Sequence, residues 1–227
     1  MSQKKQTIKK LLTLFPETFS EELGIDLASC HEKEIFKWFL ASLFLGARIS
    51  SKIAAGTYKQ FETRELITPE AIQNAGWNRL VEVLDESGYV RYDYKTADML
   101  LDITKRLQCY FDGKVVKLIE KEANYEQLKK RLEEFKGVGP VTVNIFLREL
   151  RDTLPKADPP LQKFVIRAAR HLNLIKTDDS RKALEQLREV WKKNRIEKKS
   201  FIHLESALLR FGKEHCTEEE CDLSVLK

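Results

Sequence analysis

The sequence LEEFKGVGPVTVNIFLRELRDTLPKADPPLQKFVIRAARHL, residues 132–172, decides the fold of this chain. Apolar residues recur at helical spacing on both sides of residues 136–140, so the stretch predicts two helices joined by a short turn. Gly137 and Gly139 permit backbone angles that a Cβ would obstruct. Pro140 suits the first position of the second helix, where its missing N–H costs nothing. The free N–H groups at that helix start, with the positive end of the helix dipole, favour an anion such as a phosphate.

Asp158 is the candidate catalytic residue of this stretch. It lies 19 positions after Gly139 (158 − 139 = 19) and precedes two prolines. In one interpretation Asp158 is the N-cap of a third helix, with Pro159 at the first helical position. In the other, its carboxylate faces a ligand, and the two are compatible because a capping side chain can also contact a bound group. The apolar stripe expected for this third helix is Leu161, Phe164, Val165, Ala168, Ala169 and Leu172.

The hairpin and Asp158 together resemble the helix-hairpin-helix, Gly/Pro-rich loop and Asp signature of the endonuclease III-like DNA glycosylases. The matching residues are Gly137, Gly139, Pro140, Thr142 and Asp158. The resemblance implies an all-α fold of two helical lobes, with duplex DNA bound across the cleft between them. It also implies excision of a damaged or mismatched base in base excision repair. The DNA contacts that follow in this region are Lys136, Gly137, Val138, Gly139, Thr142 and Lys163.

The reaction type expected from the resemblance depends on Val141. Bifunctional family members carry a lysine early in the second hairpin helix, and its amine forms a Schiff base with the sugar. Val141 occupies that region here, between Pro140 and Thr142, and this Pro-x-Thr pattern resembles members that act on alkylated bases with water as nucleophile. A monofunctional enzyme is therefore predicted, in which Asp158 stabilises the developing sugar cation and activates water. Two alternatives stay open: a non-catalytic DNA-binding protein, and a bifunctional glycosylase and AP lyase that uses a displaced lysine such as Lys163.

Two further segments contribute candidate DNA contacts. The stretch FLASLFLGARISSKIAAGTYKQF, residues 39–61, resembles the family helix that ends in a polar loop probing DNA opposite the flipped base. Arg48 lies at about that place; the equal alternative is an arginine that caps carbonyls at a helix end. Tyr89 follows Gly88, where family members place a bulky residue that wedges between bases. The alternative for Tyr89 is an ordinary half-buried tyrosine.

The cysteine pattern bears on cofactors. Cys216 and Cys221 lie where relatives hold an iron–sulfur cluster on four cysteines, whereas Cys30 and Cys109 lie in distant segments and are interpreted as core thiols. Two thiolates do not fill a four-cysteine site, so no cluster is predicted. A zinc site that adds His215 lacks an evident fourth ligand. No metal or cofactor is expected, apart from the monovalent cation that relatives hold at the hairpin.

Composition sets broad limits. The 227 residues are 42% hydrophobic and 33% charged, with a net charge of +5, which is compatible with nucleic-acid binding without requiring it. No apolar run has membrane-spanning length, and the N-terminus lacks the apolar segment of a signal peptide, so a cytoplasmic protein is expected. The resemblance to the glycosylases goes with a monomer. Helical spacing throughout, without period-two alternation, predicts an all-α chain.

The resemblance also implies a domain organisation. A single helix-hairpin-helix glycosylase domain is expected over residues 1–227. One lobe is expected at about 33–175, with the hairpin at 125–150. The other lobe is expected to combine residues 1–32 with residues 176–227.

Overall fold

The computed structural model of this protein describes residues 2–226. In this part of the chain the structure is helical and contains no strand, so the all-α prediction is confirmed. The bounds of the helices are α1 Gln3–Leu14, α2 Phe19–Glu22, α3 Glu32–Leu45, α4 Ser51–Thr63, α5 Pro69–Glu86, α6 Asp93–Phe111, α7 Val115–Lys121, α8 Tyr125–Glu133, α9 Pro140–Arg148, α10 Lys163–His171, α11 Ser180–Lys193 and α12 Phe201–Glu214. Among the described residues, no helix is both long and apolar enough to cross a bilayer.

The helices form two compact units. We call Leu23–Asp158 the hairpin unit; the terminal unit combines the residues up to Glu22 with those from Pro159 onward. These bounds differ from the predicted lobes, which divided the chain at 32/33 and 175/176. The difference at the second boundary arises because α10 packs against α12 and so belongs with the C-terminal helices. At the first boundary, the short 3-10 helix Leu27–Ser29 packs on α3 and belongs with the hairpin unit.

Helix α3 is central to the core of the hairpin unit. Its broadly apolar sequence predicts burial on more than one side, and Trp38, Phe39 and Phe44 are buried. The indole N–H of Trp38 donates to the carbonyl oxygen of Phe146 at 3.0 Å, which satisfies a buried polar group. The rings of Phe39 and Phe146 meet edge to face, with centroids 5.1 Å apart. These two contacts fix α9, the second hairpin helix, onto α3.

Several helices begin at residue types that are preferred as N-caps. The hydroxyls of Ser50 and Thr68 and the amide oxygen of Asn124 each accept a backbone N–H in the first turn of α4, α5 and α8. Helix α5 is interrupted at Gly76, where φ is 70°. This break agrees with the two separate helices that the sequence predicts here, one beginning at Thr68-Pro69 and one at Trp77.

Helix α7 is held at both ends by side chains from distant parts of the hairpin unit. The carboxylate of Glu32 accepts the N–H groups of Val115 and Val116 at 2.7 and 2.8 Å. At the other end the ammonium group of Lys156 donates to the carbonyls of Ile119 and Glu120 at 3.1 and 3.0 Å and also to that of Glu122. These contacts match the helix dipole, with an anion at the N-terminus and a cation at the C-terminus. Lys156 is therefore engaged in the fold.

The terminal unit has a core of its own, built from α1, α10, α11 and α12. The apolar stripe predicted for residues 161–172 is present, with Phe164 partly buried and the other five residues buried. Helices α10 and α12 approach closely at Gly212, where a Cβ would lie 2.1 Å from the carbonyl oxygen of Phe164. The stripe thus fixes α10 to the C-terminal helices.

Candidate nucleic-acid interface

The hairpin consists of α8, a turn over residues 134–139, and α9. Its two glycines have different surroundings. Gly137 has φ 81°, a backbone conformation that favours glycine, and a Cβ there would lie 2.4 Å from the sulfur of Met99, so the Met99 side chain would have to shift. Gly139 has φ −108° and is the N-cap of α9. No described atom lies within 4 Å of where its Cβ would be. The fold therefore favours glycine at residue 137, whereas the space beside Gly139 is open to a ligand.

The residues next to these glycines divide into an exposed and a buried set. Lys136 and Val141 are exposed, and Val141 has 58% of its surface accessible. Val138 is buried and donates its N–H to the carbonyl of Phe135 at 3.1 Å. Thr142 is also buried, and a Cβ at Gly46 would lie 2.1 Å from its hydroxyl oxygen. Of the predicted contacts here, Val138 and Thr142 thus serve mainly the packing of the hairpin.

A pocket of about 780 Å³ lies beside the hairpin turn, within the hairpin unit. Three segments line it: the end of α3 with the loop that follows, residues 89–99, and the turn with the start of α9. It brings together five predicted contacts that are up to 94 positions apart in the chain (142 − 48 = 94), namely Arg48, Tyr89, Lys136, Gly137 and Thr142. Its lining carries three cations and one carboxylate, which are Arg48, Lys95, Lys136 and Asp98. This charge excess suits a phosphate-bearing ligand.

Tyr89 is not available as a wedge, because only 2% of its surface is exposed. Its ring packs against Phe44 with centroids 5.9 Å apart. Burial raises the pKa of its phenol, and a hydrogen bond with Thr96 opposes that shift. The way in which α5 ends explains why Tyr89 is buried. Gly88 has φ 81° and the N–H of Tyr89 donates to Leu84, a Schellman ending that directs the following residue toward the core.

Asp158 does not begin a helix, contrary to the prediction. Helix α10 begins at Lys163, with Gln162 as its N-cap. The physical reason is the pair Pro159-Pro160, since a residue that precedes proline is disfavoured in the helical region. Asp158 and Pro159 each precede a proline, so both are directed toward extended backbone and the helix starts later.

The carboxylate of Asp158 is instead held by an ion pair within the hairpin unit. Its Oδ1 atom accepts a hydrogen bond from Nη1 of Arg151 at 2.7 Å. The Arg151 side chain is 1% exposed, while that of Asp158 is 31% exposed. A buried guanidinium therefore anchors a carboxylate that remains accessible. In the sequence, the signal for this pair is only an arginine seven positions before the aspartate, and that spacing does not predict an ion pair.

The lysines near Asp158 in sequence have separate environments. Lys156 is bound to the carbonyls at the end of α7. Lys163 is exposed at the first position of α10, in the terminal unit, and its ammonium lies 5.1 Å from the ring centroid of Phe164. Lys136 is exposed on the hairpin turn.

The architecture has a counterpart among solved structures, the H. pylori 3-methyladenine DNA glycosylase (MagIII) bound to 1,N6-ethenoadenine. The likeness has a TM-score of 0.51 over 78% of this chain and 81% of that chain, at 14% sequence identity. The chain has the fold of a helical DNA glycosylase. No family model and no curated protein matches the sequence.

The cysteines of this glycosylase fold are arranged differently from the expectation. Cys216 and Cys221 form a disulfide, so their sulfur atoms are bonded to each other. Cys30 and Cys109 are exposed thiols and not core residues, which corrects the interpretation from sequence. Cys30 follows a 3-10 turn in the left-handed region with φ 54°, and Cys109 lies on the outer face of α6. Among the described residues, no group of three or more His, Cys, Asp or Glu side chains is placed to hold a metal ion.

Proposed function

We propose that this protein is a DNA N-glycosylase that removes a damaged base from duplex DNA in base excision repair. The observation that carries the proposal is Asp158, an accessible carboxylate fixed by the buried guanidinium of Arg151. It follows a helix-hairpin-helix in a chain with a DNA glycosylase fold. A fixed carboxylate of this kind suits a reaction in which positive charge develops on a sugar.

The hairpin turn is the proposed phosphate contact. The N–H groups at the start of α9 lie beside Gly139, whose side-chain space is open, and Lys136 is exposed next to them. Arg48 and Lys95 add positive charge in the adjoining pocket. Binding that rests on phosphate contacts releases counterions, so affinity for duplex DNA is expected to fall steeply with salt.

A monovalent cation at the turn remains part of the proposal. The carbonyls of Glu134 and Phe135 already accept hydrogen bonds, from Arg106 at 2.6 Å and from Val138 at 3.1 Å. The following carbonyl groups of the turn, at residues 136–138, have oxygen atoms of the type that a hard cation takes as ligands. Such an ion would help to neutralise a bound phosphate.

In the proposed reaction, the damaged nucleotide leaves the duplex before its glycosidic bond breaks. Asp158 stabilises the sugar cation and orients a water molecule that attacks the anomeric carbon. Arg151 positions the carboxylate. Val141 is exposed on the hairpin where a bifunctional enzyme would present its lysine, so a Schiff base is not expected there. Lys163 is the candidate for the bifunctional alternative.

The proposed substrates are alkylated purines, and the proposed acting form is a cytoplasmic monomer. The substrate proposal rests on Val141 and on the structural neighbour, which is named for 3-methyladenine and holds 1,N6-ethenoadenine.

A base-release assay tests the function. Duplexes that contain uracil, mismatched thymine, 8-oxoguanine or alkylated purines are incubated with excess protein under single-turnover conditions, with borohydride in parallel reactions. We expect release of an alkylated purine and no borohydride-trapped complex. Tight duplex binding without release of any base would instead favour the non-catalytic alternative. A trapped complex that is lost in Lys163→Ala would favour the bifunctional one.

A further inference from the structure

The hairpin unit exposes two large aromatic rings next to each other. Trp77 is 39% exposed and Tyr94 is 59% exposed. Their ring centroids lie 5.3 Å apart with planes tilted by 40°. Trp77 is the first residue after the break in α5 at Gly76, so the chain direction changes where the indole reaches the surface. Two neighbouring aromatic rings left in solvent are a feature that the folded core does not explain.

This aromatic pair borders the pocket at the hairpin. The indole N–H of Trp77 donates to Oδ1 of Asp98 at 3.0 Å, and Asp98 lines the pocket. Lys95, which follows Tyr94 in the chain, lines it as well. The hydrogen bond uses the one polar atom of the indole and fixes the orientation of the ring. The ring faces therefore remain the chemistry that Trp77 offers to a ligand.

The surroundings favour one kind of ligand. A stacking surface beside cations matches a nucleic-acid strand, which has flat bases and anionic phosphates. The pocket lining contains the three cations Arg48, Lys95 and Lys136 against the single carboxylate of Asp98. An apolar protein segment would match the rings and leave these cations without counter-charge, so charge complementarity selects the strand.

We propose that Trp77 and Tyr94 form a stacking platform for an unpaired base of the DNA strand whose phosphates bind in this pocket. The inference rests on the proposed function, since it takes its strand from the hairpin interface, and it adds a base-contacting element. Stacking uses the flat face that every base has, so the platform takes any base. It requires that base to be out of the duplex, because a paired base has both faces covered.

Tryptophan fluorescence reports on the platform directly. Trp38 and Trp191 are 0% and 7% exposed, whereas Trp77 is accessible. Titration with an undamaged single-stranded oligonucleotide is expected to quench the emission of the wild-type protein. In Trp77→Phe the quenching disappears while the affinity is largely kept, because phenylalanine still offers a ring.

Affinity measurements make the proposal quantitative. Trp77→Ala and Tyr94→Ala are each expected to weaken single-strand binding by about tenfold, the loss of roughly one stacking contact. Tyr110→Ala is the matched control, since Tyr110 is 65% exposed on α6 outside the pocket lining. Its affinity should equal that of the wild type. Thermal melting of each variant shows whether it is folded.

An abasic oligonucleotide of the same length tests the platform without any substitution. This oligonucleotide keeps the phosphates and lacks the bases, so the wild type should bind it about tenfold more weakly than the base-bearing strand. The variant Trp77→Ala should bind the two oligonucleotides with equal, weak affinity. Equal binding of both oligonucleotides to the wild type, or unchanged affinity in folded Trp77→Ala and Tyr94→Ala, would overturn the platform. If single-stranded DNA quenches the fluorescence but the protein releases no base from any duplex, the proposed function is overturned and the platform remains in place.

Discussion

The hairpin turn and the loop that follows α9 prepare two parts of the proposed site by different means. The turn, residues 134–139, relies on its backbone: Gly137 adopts φ 81° against Met99, and Gly139 leaves an open space. The loop, residues 149–158, relies on charged side chains, with the guanidinium of Arg151 buried against the carboxylate of Asp158. A turn made of glycines can be predicted from a few consecutive residues. An ion pair between two residues of one loop depends on how that loop is folded.

The largest expected effect concerns the loop. Asp158→Asn removes the negative charge that would face the sugar cation, and electrostatic contributions of this kind are worth about 2.7–4 kcal/mol, roughly a hundredfold or more in rate. Base release under single-turnover conditions should collapse, while duplex binding remains. Stability should also fall, because the ion pair between Arg151 and Asp158 is lost. That loss should stay below the about 3–5 kcal/mol of a fully buried pair, since the Asp158 side chain is 31% exposed.

Asp152→Asn is the matched control for this substitution. Asp152 lies in the same loop and is exposed, so neither rate nor stability should change. If Asp158→Asn released bases as fast as Asp152→Asn, the loop would have only a structural role and would not be part of the proposed site.

The next effect concerns Gly137 and the stability of the turn. Gly137→Ala forces a Cβ into the left-handed region, at a cost of about 1–3 kcal/mol, and toward the sulfur of Met99, which adds to that cost. Urea unfolding should show the loss. Gly56→Ala is the control: Gly56 is exposed within α4 and its Cβ would have open space, so a gain of about 0.5–1 kcal/mol is expected. Equal effects of the two substitutions would contradict the structural role of Gly137.

The smallest effect on stability is expected for a substitution of Gly139, which should instead weaken the binding of duplex DNA. Gly139→Ala introduces a Cβ into open space with ordinary backbone angles, so unfolding should change by less than about 0.5 kcal/mol. The same Cβ would stand where a phosphate approaches the N–H groups of α9, so affinity for duplex DNA should weaken at every salt concentration tested. Undiminished affinity in this variant would remove the turn from the DNA interface and leave Gly139 without a ligand role.

Local rules account for what could be predicted. The caps at Ser50, Thr68 and Asn124, the break at Gly76 and the hairpin itself each depend on a few consecutive residues. The wrong inference about the start of α10 arose because two local rules competed. At Asp158 the capping preference of aspartate competed with the restriction imposed by the two prolines, and the restriction determined the backbone.

The sequence by itself determined the helical class, the order of the elements and the hairpin with its two glycines, because helical periodicity and turn chemistry act over a few residues. Only the tertiary structure decided which side chains meet. It buried Tyr89 and exposed Trp77 and Tyr94, it paired Arg151 with Asp158, and it gathered Arg48, Lys95 and Lys136 at one pocket. Burial depends on contacts between segments far apart in the chain, and the pair of Arg151 and Asp158 depends on how its own loop is folded. No local pattern specifies these contacts.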